Sequence, residues 1–225
     1  MAIKNIIFDW SGVISDDIKT VYETTMRTFE RLGAKRISYR KYRAVFELPY
    51  MKFYNKFLDA KPEVLEKIYS EESEHVPLPC VYPEAKKALE KLNSMGLHLT
   101  VFSSMSTKRF VNEAKKYGVL RLFTRPRTAV RDKVAAFDEF INENGYNKSE
   151  TIYVGDMVHD IHAARKAGIR IVSIARGYDT PDKLVREKPD YLIMNLKQLI
   201  PIIERENCSE KEKTTKNTKI RDSFK

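Results

Sequence analysis

The stretch that most constrains this chain is Ile3-Lys4-Asn5-Ile6-Ile7-Phe8-Asp9-Trp10-Ser11-Gly12-Val13. Its β-branched and aromatic run, without polar alternation, reads as a strand covered on both faces, as in a parallel sheet. The run stops at a carboxylate, and Gly12 lets the backbone turn away close beneath it. In open parallel sheets, ligands gather just beyond the carboxyl ends of the strands, where Asp9 stands. A carboxylate at that place is a candidate nucleophile or metal ligand. Read alone, it is equally a loop aspartate capping whatever follows.

Between about Ser15 and Pro79 such runs disappear. Val21, Thr25, Phe29 and Leu32 share one helical face that ends at Gly33. Further apolar clusters follow at Tyr42, Val45 and Phe46, at Met51 to Leu58, and at Val64, Leu65 and Ile68 behind Pro62. The spacing predicts an all-helical insertion over residues 15–79, with the aromatic stripe forming its core. From Val81, helix and strand alternate again. Strands are expected over Leu97–Phe102, Thr151–Val154, Ile169–Ile174 and Tyr191–Met194. Helices are expected behind Pro83, over Thr107–Tyr117, after Lys133, through Ile161–Ala167 and around Leu196–Ile203. This order predicts an α/β fold: a doubly wound parallel sheet built from residues 1–14 and 80–203. Residues 204–225 are polar and charged, and are expected to be a flexible tail or a loose helix.

Composition narrows the function classes. A hydrophobic fraction of 42% supports a sizeable core, and no apolar run approaches the ~20 residues of a membrane span. Cys80 and Cys208 suggest neither a disulfide framework nor a zinc site. With the first strand starting almost at once, no leader is expected, and a cytoplasmic location is. The net charge of +10 admits anionic partners. Because the bases are interspersed with acids, an ordinary solvated surface is the first reading of that charge, a small phosphorylated substrate the next and nucleic acid the last, and no membrane is expected. A monomer or homodimer is expected.

Polar groups mark the strand and helix mouths: Asp9, Ser103, Lys133, and Asp156 with Asp160. Facing carboxylates need a cation, and hard oxygen donors without cysteine favour Mg²⁺. A phosphoryl group beside that metal needs further positive charge and donors, which Lys133 and Ser103 can supply.

The motifs IIFDWSGV, TVFSS, the lysine of RDKVAAF and YVGDMVHD resemble those of the haloacid dehalogenase (HAD) superfamily. The likeness is to its phosphoglycolate-phosphatase-like branch, which carries a helical cap after the first strand, and it covers residues 3–203. The resemblance implies a Mg²⁺-dependent hydrolase acting on a small phosphorylated metabolite through an aspartyl-phosphate. Asp9 would attack phosphorus and bind Mg²⁺, with the Ser11 backbone carbonyl and Asp156 completing the protein's share of the shell. Ser103, with Ser104 as the alternative, would hydrogen-bond the phosphoryl oxygens. Lys133 would neutralise them and Asp9. Asp160 would hold a metal-bound water or orient Lys133, and Trp10 would contact substrate. His159 is expected at the surface.

One departure stands out. Phosphatases of this family carry a second aspartate two residues after the nucleophile, as general acid and base, and here that residue is Ser11. A serine hydroxyl cannot replace a carboxylic acid near neutral pH, so slow turnover of esters with poor leaving groups is expected. Alternatives are another acid or substrate assistance, and a non-catalytic relative that binds phosphorylated ligands or a protein. A further alternative is a C–P bond hydrolase, since DWS resembles the DWA of phosphonoacetaldehyde hydrolases, with Lys52 as the candidate Schiff-base lysine. Arg40, Lys41, Arg43, Lys52 and Lys56, with Tyr50 and Tyr54, are candidates to meet the rest of the substrate or to form a solvated face.

Overall fold

The computed structural model describes residues 2–208. Strand β1 (Asn5–Phe8) leads through β2 (Ser15–Asp16) into helices α1 (Ile18–Arg31), α2 (Tyr39–Val45), α3 (Tyr50–Tyr54) and α4 (Pro62–Ser73). The chain returns along β3 (Cys80–Val81), which pairs antiparallel with β2. There follow α5 (Ala85–Ser94), β4 (His98–Val101), α6 (Thr107–Tyr117), α7 (Lys133–Glu143), β5 (Thr151–Gly155), α8 (Val158–Ala167), β6 (Arg170–Ile174), α9 (Pro181–Arg186) and β7 (Tyr191–Ile193). A final helix, α10, spans residues 199–208.

The main sheet runs β4-β1-β5-β6-β7, with all pairs parallel. The central place of β1 follows from its residues. Ile6 and Phe8 pack on one face with Leu89 and Leu92 of α5, Phe110 of α6 and Ile203 of α10. Ile7 packs on the other with Phe137 and Phe140 of α7 and Ile161 and Ala164 of α8. Only a strand covered on both sides can carry an unbroken apolar run, and each such side chain fully buried contributes about 1.5–3 kcal/mol. This is the doubly wound α/β core expected from the sequence. No helix among the described residues is long and apolar enough to cross a membrane.

Helices α1 to α4 enclose a separate apolar cluster of Met26, Phe29, Tyr42, Phe53, Tyr54 and Leu65, so the aromatic stripe is core. Three buried threonines of α1 satisfy their hydroxyls on carbonyls one turn back: Thr24 on Thr20, Thr25 on Val21 and Thr28 on Thr24. The two crossings between this block and the main sheet run side by side as the β2–β3 ribbon.

The expected strand limits stand within one residue of those observed. The ribbon and α9 were not expected; strands of two residues carry too little periodicity to register. At the other end, residues 204–208, expected as a flexible tail or a loose helix, continue α10. Asn207 there accepts from the Ile3 N–H (2.6 Å) and donates back to its carbonyl (3.2 Å), tying the helix to the start of the sheet. The remainder of the expected tail lies outside the described residues.

Beside the insertion lies a buried polar knot. Glu113 of α6 pairs with Arg109 (2.9 Å) and accepts from Trp10 Nε1 and Ser15 Oγ (both 2.8 Å), so it ties α6 to the segment that opens the insertion. Removing one partner of a buried pair strands the other charge. Glu113→Ala is therefore expected to lower unfolding stability by about 3–5 kcal/mol. Urea melts followed by fluorescence of the single tryptophan, whose ring is part of the knot, check this directly.

Candidate active site

Asp9 continues β1 by one residue, its N–H donating to the Val154 carbonyl (2.8 Å), and this carries its carboxylate past the sheet edge. One of its oxygens accepts from the Trp10 N–H at 2.7 Å. The other meets the Lys133 ammonium at 2.7 Å. Lys133 opens α7 behind Asp132, whose carboxylate caps the N–H groups of Val134 and Ala135. It is fully buried, and it also pairs with Asp160 (2.8 Å) and donates to the Tyr153 hydroxyl (3.1 Å). Asp160, in the first turn of α8, uses both oxygens. Oδ1 takes Lys133 and the Tyr153 hydroxyl (2.8 Å), and Oδ2 takes the N–H groups of Asp156 (3.2 Å) and Met157 (3.1 Å).

Asp156 directly follows β5 and has no exposure to solvent. Its Oδ2 accepts from the Tyr178 N–H at 2.5 Å, whereas its buried Oδ1 has no hydrogen-bond partner. Backbone presses on it from two sides. A Cβ on Gly12, which sits at φ +73°, would lie 2.3 Å from Asp156 Oδ2, and one on Gly177 would lie 1.9 Å away. Carboxylate oxygens of Asp9, Asp156 and Asp160 lie within 4.8 Å of one another.

Electrostatics follow from this crowding. Burial opposes the charge of Lys133, but Asp160 and Asp9 outweigh it and hold the ammonium above the usual lysine value. Burial likewise raises Asp160, but Lys133 prevails and its carboxyl is lowered. Asp9 is raised, chiefly by burial and against the pull of Lys133. Asp156 is raised well above the carboxylate range by burial, with the charges of Asp160 and Asp9 adding. One buried cation therefore faces three carboxylates. The orphaned oxygen of Asp156 and the all-oxygen donor set fit a hard divalent cation such as Mg²⁺.

A cavity of about 440 Å³ opens in front of Asp9, with Ser11, Ser103, Ser104 and Lys133 also on its wall. Asp156 and Asp160 stand behind Asp9, away from the wall. Ser103 follows β4; its N–H donates to the Arg127 carbonyl (3.1 Å) and its Oγ accepts from the Met105 N–H (3.3 Å). The helical block closes the far side. Arg131 reaches across to Glu66 of α4 at 2.8 Å, and Phe46 lies against Tyr178 with ring centroids 5.1 Å apart.

Several expectations need correction. The Trp10 side chain is off the cavity wall: it is wholly buried, stacked on Tyr117 and anchored to Glu113, and its backbone N–H donates to Asp9. His159 is not on the surface; its side chain is 11% exposed, and burial lowers its pKa. Lys52 is exposed on α3 and absent from the cavity wall, which removes the Schiff-base lysine. Arg40, Lys41, Arg43 and Lys56 are likewise off the wall, whereas Tyr50 and Tyr54 are on it.

Other residues went unnoticed in the sequence. Tyr153 lies beside Ile7 in the β1–β5 register and was read only as strand, although its hydroxyl joins Lys133 to Asp160. Asp17 is fully buried and accepts from the Tyr178 hydroxyl (3.2 Å); burial, with help from Glu113, pushes its carboxyl up to about 7. A carboxylate beside a two-residue strand leaves no sequence signal for that burial.

Comparison with known proteins agrees with this geometry. The phosphoglycolate phosphatase of Synechococcus elongatus is 24% identical over 207 residues, covering 89% of this chain and 97% of that protein. The phosphoglycolate phosphatase of Pasteurella multocida is 27% identical over 132 residues, 56% of this chain and 59% of that one. Among solved structures, a haloacid dehalogenase-like family hydrolase from Streptococcus pneumoniae superposes with a TM-score of 0.77 at 19% identity, over 89% of this chain and 98% of that one. The profile of the haloacid dehalogenase-like hydrolases matches residues 6–174. The chain belongs to the haloacid dehalogenase-like hydrolase family.

Proposed function

We propose that this protein is a phosphomonoester hydrolase in which Asp9 is the nucleophile, Lys133 its electrostatic partner, and Mg²⁺ the cofactor. The observation that carries the reading is the buried Lys133 bridge from Asp9 (2.7 Å) to Asp160 (2.8 Å), beside the unsatisfied oxygen of Asp156.

The residues divide the work as follows. An Asp9 oxygen attacks phosphorus, forming an aspartyl-phosphate as the leaving oxygen departs. Lys133, kept protonated by its two carboxylates, faces the developing charge on the phosphoryl oxygens. Ser103 Oγ donates to one of those oxygens, with Ser104 alongside it. Asp160 and Tyr153 fix Lys133 so that it need not reorganise during the reaction. Asp9, Asp156 and the Ser11 carbonyl would hold Mg²⁺, which draws charge from the phosphoryl group and relieves the repulsion between the carboxylates. The helical block excludes water through the Glu66–Arg131 pair and the Phe46–Tyr178 contact.

Ser11 supplies no acidic proton, so esters with poor leaving groups turn over slowly. The same serine favours a second reading, a relative that binds phosphorylated ligands without hydrolysing them. Phosphate release from p-nitrophenyl phosphate separates the two. Wild type is expected to turn it over only with Mg²⁺, and Asp9→Asn to abolish that turnover. Ser11→Asp is expected to raise rates on alkyl phosphates by about 10²–10⁴-fold, the usual worth of general acid–base help. Inert protein that still binds Mg²⁺ and phosphate would establish the binding reading instead.

The raised pKa of Asp156 also has a sign. An acid whose pKa rises on folding costs stability above its unfolded value, near 3.8, and that cost fades as pH falls. At neutral pH in chelator, Asp156→Asn is therefore expected to be at least as stable as wild type. Mg²⁺ at about 100 times its Kd should stabilise wild type by about 2.7 kcal/mol and the variant far less. Thermal melts with and without Mg²⁺ read both effects.

A further inference from the structure

Resting on the hydrolase reading, we propose that the site's substrates are aryl phosphomonoesters, phosphate esters of a phenol-type hydroxyl on an uncharged apolar body. Three independent features of the cavity lead there.

The first is its wall. Beyond the reacting end, the cavity of about 440 Å³ is bounded by side chains such as Phe46, Leu48, Tyr54, Leu65, Met105 and Tyr178. It falls within the roughly 300–1,000 Å³ of pockets that enclose ring-containing ligands. Apolar walls of this extent contribute nothing to a two-carbon acid, but take up the face of a ring.

The second is charge. Apart from Lys133, the cations on the wall are Arg109 and Arg131. Each already has its carboxylate: Arg109 pairs with Glu113 at 2.9 Å and Arg131 with Glu66 at 2.8 Å. Arg109 Nη2 has no hydrogen-bond partner, but it is walled off from solvent. A substrate carrying a carboxylate or a second phosphate would have to leave water for a wall whose arginines are already neutralised by carboxylates, which is costly. An uncharged body meets no such penalty.

The third is the missing acid. The carboxylates on the wall are Asp9, the nucleophile, and Glu66, kept ionised by Arg131 and the Tyr50 hydroxyl. Asp17 is off the wall. A leaving alkoxide would meet no carboxylic acid on the wall, the nearest being Asp17, which reaches the cavity only through the Ser11 hydroxyl. A phenol, with a pKa of about 10, departs as phenolate without one. In the first step the Asp9 oxygen–phosphorus bond forms and the phosphorus–aryl oxygen bond breaks, the phenolate keeping the electron pair and taking a proton from water. In the second, water oxygen bonds phosphorus and the Asp9 oxygen leaves. The water's proton passes to a phosphate oxygen, and free phosphate departs.

The test compares kcat/KM with Mg²⁺ for four probes that separate leaving group from body. These are 1-naphthyl phosphate, cyclohexylmethyl phosphate, 2-phosphoglycolate and acetyl phosphate. Naphthyl phosphate is expected to exceed cyclohexylmethyl phosphate and 2-phosphoglycolate by at least about 100-fold, as loss of acid catalysis dictates for the alkyl esters. It should exceed acetyl phosphate, which also needs no acid but has no ring, by about tenfold through KM. Independently, calorimetry should show 1-naphthylmethylphosphonate binding at least about tenfold tighter than methylphosphonate, or about 1.4 kcal/mol. Either alkyl ester coming within tenfold of the naphthyl ester, or equal binding of the two phosphonates, overturns the proposal. Turnover of acetyl phosphate without naphthyl phosphate also overturns it, while leaving the hydrolase reading intact. Failure on all four probes removes the hydrolase reading, and the substrate class with it.

Discussion

Everything at this site depends on one buried ammonium. Lys133 has no solvent to screen it, and it sits in contact with Asp9 and Asp160, with Asp156 close behind. A lysine so buried is tolerable only because carboxylates surround it, and carboxylates so crowded are tolerable only because the lysine is there. The balance is incomplete, since three acids face one base. Asp156, farthest from the ammonium and with one oxygen unsatisfied, carries the remaining strain as a raised pKa. A divalent cation there would supply the missing charge. The metal is thus implied by electrostatics as well as by family.

Chain topology explains why these groups can meet at all. Parallel strands all point their carboxyl ends the same way, so β1 delivers Asp9, β4 leads into Ser103 and β5 into Asp156. The helix starts that follow supply Lys133 and Asp160 from α7 and α8. Close approach is bought with glycine: Gly12 and Gly177 let two loops touch the Asp156 carboxylate where any side chain would collide with it. The short β2–β3 ribbon then sends both insertion crossings out beside Asp9, which is why the helical block closes the far side of the cavity.

How much of this was legible in sequence depended on range. The strands were legible because burial on both faces leaves an unbroken apolar run, as in Ile6-Ile7-Phe8 and Thr151 to Val154. Their polar ends, Asp9, Ser103 and Asp156, were legible because a polar residue ending such a run is conspicuous. Pairings between distant residues were not. Trp10 was misplaced because its position beside Asp9 says nothing of a partner, Glu113, that lies 103 residues away. Tyr153 hid inside its strand because a tyrosine there reads as apolar filling until its hydroxyl is seen on Lys133 and Asp160. Asn207 was hidden in a polar stretch, where one asparagine resembles the rest.

Ser11 belongs with the cavity rather than with the defects of the site. A general acid matters in proportion to how badly the leaving group needs a proton. Where the leaving group is a stable anion, a carboxylic acid at that position adds little to the first step, whereas hydrolysis of an aspartyl-phosphate would lack its base with any ester. Such a residue does add the cost of holding a fourth acid beside three that already outnumber their lysine. Replacing it with serine removes that repulsion while keeping the backbone carbonyl in place. The ion-paired arginines and apolar walls follow the same logic, since both withhold charge from the region where the leaving group rests. The three carboxylates and Lys133 are concentrated at the mouth of β1, and at the opposite end the charges are paired. On the proposed reading, a site so divided would discriminate by the body of its substrate and by the stability of what leaves, with chemistry confined to the mouth of β1.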